Sequence, residues 1–168
     1  MTPEFSRLVD ARQLSAAPLR LTADEAERAA LAQRFGLESI ERLEAEVALE
    51  PDGPAVIAQG RVEADFVQMC AVSGDPFPAR LAEPVALRFV PGPVTDLPEV
   101  EIEIETDEWD EIPFEGAKFD LGEAIAQSLA LAIDPYATGP NAEQVRKEVG
   151  LDEEVASGPF AALAALKK

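Results

Sequence analysis

The stretch "IERLEAEVALEPDGPAVIAQGRVEADFVQMC", residues 40–70, decides the fold class. Leu43, Ala45, Val47 and Leu49 alternate with Glu44, Glu46, Ala48 and Glu50. Beyond the turn residues Pro51–Pro54, Val62, Ala64 and Phe66 alternate with Arg61, Glu63 and Asp65. Successive side chains of a strand point to opposite faces, so period-two patterning on both sides of a Pro/Gly turn predicts a long antiparallel hairpin. Gly60 interrupts the second arm and suggests a bulge there. Val85, Leu87 and Phe89 repeat the alternation, and so do Val100, Ile102 and Ile104 within "EVEIEIE", which predicts two further strands. A short edge strand is expected near residues 5–9.

Helix signals flank these strands. In "LTADEAERAALAQRFG", Thr22 followed three residues later by Glu25 fits a capping box, and Gly36 suits a C-terminal stop, giving a helix over about 22–35. In "FDLGEAIAQSLALAIDPY", Asp120 is the expected N-cap with Glu123 at the third helical position. Leu121, Ile125, Leu129 and Ile133 then fall on one face, and Pro135 ends the helix. The expectation is an α+β fold: a twisted antiparallel β-sheet with a long hairpin and two main packed helices. Residues 1–139 are expected to make a single domain. After Pro140 the sequence offers one short helix signal, Asn141 with Gln144, so residues 140–168 are expected as a weakly structured C-terminal tail.

Composition narrows the chemistry. The chain has 168 residues and no histidine, which removes the commonest general base and metal ligand. Its one cysteine excludes an internal disulfide framework. The N-terminus lacks the basic start and apolar run of a signal peptide, and no stretch reaches the ~20 apolar residues of a membrane span. A cytoplasmic protein that makes no membrane contact is therefore expected. The net charge is −19, and residues 96–123 hold 12 acids against one base, Lys118. Such a surface repels nucleic acid, whose affinity comes from Lys and Arg displacing counterions, and attracts basic partners.

The candidate partner-binding residues are therefore Glu99, Glu101, Glu103 and Glu105 on one strand face, with Asp107, Glu108, Trp109, Asp110 and Glu111 in an acidic loop. Four like charges on one strand face repel one another unless solvated or met by a basic surface. The acids match no calcium-loop pattern, and nothing singles out two of them as an acid–base pair. Cys70 is followed at the CxxC position by Ser73, and its nearest charges, Asp65 and Asp75, oppose a lowered thiol pKa. A packing role is expected for the thiol, with no metal and no cofactor.

Two stretches together carry a resemblance. "GRVEADFVQMCAVSGDPFPARLAEPVALRF" is a strand ending in a cysteine, a turn with a small residue three positions on, and another strand. "FDLGEAIAQSLALAIDPY" is an acidic segment feeding an Asp-Leu-Gly-Glu helix, formed by Asp120, Leu121, Gly122 and Glu123 and ending in Asp-Pro. In this order, and with the closing "GPFAALAALKK", the chain resembles the YceD family over roughly residues 55–168. The family pattern often has a second cysteine where this chain has Ser73, and further cysteines near the C-terminus, so this sequence resembles a divergent branch without a metal site.

The resemblance implies a non-enzymatic factor for accumulation or processing of 23S rRNA and for large-subunit assembly. Combined with the charge, it implies a basic ribosomal protein or a pre-ribosomal particle as partner, without direct nucleic-acid binding. The alternatives are a carboxylate- and Mg²⁺-dependent enzyme acting on RNA or a small molecule, and a general acidic interaction module.

Overall fold

The computed structural model describes residues 3–92 and 109–150. Its elements run β1 (Leu8–Asp10), β2 (Leu19–Thr22), α1 (Glu25–Phe35), β3 (Ser39–Asp52), β4 (Ala55–Met69), β5 (Pro76–Pro91), β6 (Asp110–Phe114), β7 (Lys118–Asp120), α2 (Leu121–Ala132) and α3 (Ala142–Glu148). The described residues divide into two compact units, one within Met1–Gln68 and Pro78–Asp134 and the other within Met69–Phe77 and Pro135–Lys168.

The first unit carries a five-stranded sheet in the order β2-β3-β4-β5-β6 and a two-stranded sheet of β1 and β7. The predicted hairpin is its centre. β3 and β4 pair antiparallel from Ser39↔Val67 to Asp52↔Ala55, leaving Gly53 and Pro54 as a two-residue turn. Gly53 has φ 58°, the left-handed conformation that a tight hairpin turn of this length asks of its first central residue. The six residues between β4 and β5 are too few for a parallel crossover, so these neighbours are antiparallel. β5 and β6 pair in parallel, Leu87↔Asp110 to Pro91↔Phe114. The fold is therefore α+β with a mostly antiparallel, mixed sheet.

Several local expectations change. Thr22 does not cap α1, because it pairs with Glu44 as the last residue of β2. The cap lies two residues later, where the Asp24 carboxylate accepts the Glu27 N–H at 2.8 Å and the Asp24 N–H donates to the Glu27 carboxylate at 2.9 Å. The strand expected near residues 5–9 is β1, whose partner is β7. The third long strand starts at Pro76, before the alternation around Val85 becomes clear.

The acidic segment after residue 109 contains β6 rather than a loop. Gly60 is not a bulge: it stands opposite Val47 in register, and the irregularity lies between Ile40 and Arg42. A Cβ on Gly60 would collide with the Glu46 carbonyl oxygen and stand 2.8 Å from the Val47 Cα, so glycine is what lets β3 and β4 approach there. The strand read at 99–105 lies outside the described residues.

The core follows the predicted faces. Leu43, Ala45, Val47 and Leu49 of β3 and Val62, Ala64 and Phe66 of β4 are buried, as are Val85, Leu87 and Phe89 of β5. Leu121, Ile125 and Leu129 of α2 are fully buried, and Ile133 packs at the margin. The few aromatic residues concentrate here: Phe89 stacks on Phe119 with ring centroids 4.1 Å apart, and Phe114 adds a tilted contact to Phe119 at 5.7 Å. Each large side chain so buried contributes about 1.5–3 kcal/mol.

In the second unit, the turn after β4 is held to the residues that precede α3. The Ala71 N–H donates to the Ala137 carbonyl at 3.0 Å, and the Asn141 amide donates to Asp75 at 3.3 Å. Asn141 precedes α3 but makes no side-chain cap.

Candidate functional site

The Asp-Leu-Gly-Glu motif opens α2, and each of its four residues seats another part of the first unit. Asp120 is the N-cap, accepting the Glu123 N–H at 3.1 Å. Its carboxylate also accepts the Ser6 hydroxyl at 2.5 Å and the Arg7 N–H at 2.8 Å. The Leu121 N–H donates to the Arg7 carbonyl at 3.0 Å, while its side chain is fully buried.

Gly122 lies under the N-terminal segment: a Cβ there would meet the Phe5 carbonyl oxygen at 2.5 Å and the Arg7 nitrogen at 2.8 Å. Glu123 does not complete a capping box. Its carboxylate turns to Arg34 at the end of α1, at 2.8 and 3.0 Å, and this pairing holds it below the usual carboxylate range. Arg34 also reaches Glu4, and Arg7 pairs with Glu27. The motif is thus a structural joint that fastens residues 4–8 across two helices.

Cys70 lies in the second unit and is buried. Its sulfur accepts N–H donors from Ser73 at 3.3 Å and Val72 at 3.4 Å. The Ser73 hydroxyl and the Gly139 N–H add to these. Hydrogen bonds to the charged form favour it, so the thiol is pulled down to about 6, with the Ser73 side chain the largest cause. The sequence neighbours Asp65 and Asp75 oppose such a shift, and the hydrogen-bond donors outweigh them. The donors that decide it are groups of a tight turn and of a segment distant in sequence, and charge counting does not reveal them.

Of the acidic candidates, Glu99, Glu101, Glu103, Glu105, Asp107 and Glu108 lie outside the described residues. Trp109 is half-buried, and Asp110 and Glu111 are exposed at the start of β6. Glu111 pairs with Arg88 at 2.6 Å, and Arg88 also holds Asp52.

Sequence reasoning missed where the positive charge goes. Arg20 pairs with Glu46, Arg42 with Glu44, Glu63 and Asp65, Arg61 with Glu63, and Arg80 with Asp65. With Arg7, Arg12, Arg34 and Arg88, eight of the nine arginines between residues 3 and 92 stand in ion pairs. Arg28 donates to the Ala23 carbonyl. The cross-strand positions carried part of the signal, since Arg42 lies opposite Asp65 in the register of β3 and β4, and Arg20 opposite Glu46 in that of β2 and β3.

Among the described residues, no three Cys, Asp or Glu side chains gather as a metal-binding group, and no helix is long and apolar enough to cross a membrane. The family described as large ribosomal RNA subunit accumulation protein YceD matches residues 58–167, well over half of the chain. The chain belongs to the YceD family. The matched span of this YceD member takes in both the Cys70 turn and the Asp120–Glu123 joint. The family name describes accumulation of large-subunit ribosomal RNA, a ribosome-biogenesis role. No match was found among the curated proteins or the solved structures.

Proposed function

We propose that this YceD protein promotes accumulation of 23S rRNA and assembly of the large ribosomal subunit without catalysing a reaction. It does so by holding a Lys/Arg-rich protein, a ribosomal protein on its own or within a pre-ribosomal particle, in the cytoplasm. The partner meets Glu99, Glu101, Glu103 and Glu105 with Asp107, Glu108, Trp109, Asp110 and Glu111. The observation that carries this reading is the internal use of the arginines. With eight of the nine arginines between residues 3 and 92 tied to carboxylates of the same chain, little guanidinium charge remains there to displace phosphate counterions, while the chain keeps a net charge of −19. The family name supports the ribosomal setting.

The test measures association of an isolated basic ribosomal protein with the wild type and with the Glu101→Lys, Glu103→Lys double variant over a range of ionic strengths. Steering by charge acts chiefly on the association rate and weakens as the Debye length falls from ~10 Å at 0.1 M to ~3 Å at 1 M salt. The wild type should bind fast at low salt and slow steeply as salt rises, and the double variant should bind more slowly throughout. Equal rates for the two forms, or a salt-independent rate, refute the acidic segment as the docking surface.

A further inference from the structure

We draw no further inference here: the strongest candidate, the apolar groove that Phe35, Ala130 and Leu131 line at the C-terminal ends of α1 and α2, carries nothing because the structure does not show what covers it.

Discussion

Replacing Gly122 by alanine tests the joint at the start of α2. Taken alone, Gly→Ala in a helix is favourable by up to about 1 kcal/mol, and less than that in the first turn. Here the new methyl would sit 2.5 Å from the Phe5 carbonyl oxygen and 2.8 Å from the Arg7 nitrogen. Both are backbone atoms, so no side-chain rotation relieves the clash. Restoring ordinary contact means moving residues 5–7 by roughly an ångström, which stretches the Arg7 N–H to Asp120 bond at 2.8 Å and the Leu121 N–H to Arg7 carbonyl bond at 3.0 Å past useful length. Two such bonds are worth about 1–3 kcal/mol together, and disturbing the fully buried Phe5 adds to that.

The expected net loss is about 1–3 kcal/mol, opposite in sign to helix propensity. Urea denaturation of the wild type, Gly122→Ala, Asp120→Ala and the double variant measures it. Without the Asp120 tether the N-terminal segment can yield, so Gly122→Ala should cost less in that background. A neutral or stabilising Gly122→Ala in the wild type refutes the close approach. Strict additivity of the two changes refutes the shared joint.

Gly60→Ala should destabilise by about 1–3 kcal/mol, the usual range for overpacking, because its Cβ would collide with the Glu46 carbonyl oxygen; an unchanged denaturation midpoint contradicts the register. For Cys70, the fold favours the thiolate. Its contribution is complete above the ordinary thiol value of 9.0 and is lost as pH falls through about 6, so the stability advantage over Cys70→Ala should grow as pH rises across that window. Ultraviolet thiolate absorbance that half-appears near 9 would show that the turn donors do not act on the sulfur. Glu27 and Glu123 are held below the usual carboxylate range by hydrogen bonds from Arg7 and Arg34. Their stabilisation is complete above the ordinary carboxylate value of 4.5 and is lost as pH falls through the lowered folded-state values. Thermal midpoints should therefore drop in acid for the wild type and drop less for Arg34→Met, and parallel curves would mean that the Arg34–Glu123 pair contributes nothing.

What could be read from the sequence was the part with long, regular periodicity. Leu43 to Leu49 and Val62 to Phe66 sit in 14- and 15-residue strands, and Leu121, Ile125 and Leu129 occupy one stripe of α2. The short elements escaped. β2 has four residues, and its partner lies more than twenty positions away, so nothing local marks it. β6 contains Pro113 and two acids, poor strand formers that are tolerated because it pairs with a long neighbour. Two capping boxes overlap at the start of α1, and strand pairing of Thr22 selects the later one. At the candidate sites, Asp120 and Glu123 were visible as helix-start residues. Their attachment to Ser6, Arg7 and Arg34 depends on tertiary approach, as does the donor set around Cys70.

The hairpin bears on how such a protein can be inherited. The family match begins at residue 58, three residues after β4 starts at Ala55, so its boundary cuts through the hairpin just past its turn. The elements before that boundary, including β2, α1 and β3, pair with one another or pack into the core shared with β4, β5 and α2. Neither portion is a transferable module. Gly122, inside the matched span, has its steric reason in Phe5 and Arg7, outside it. Drift in the leading third of the chain is therefore constrained by a glycine more than a hundred positions downstream.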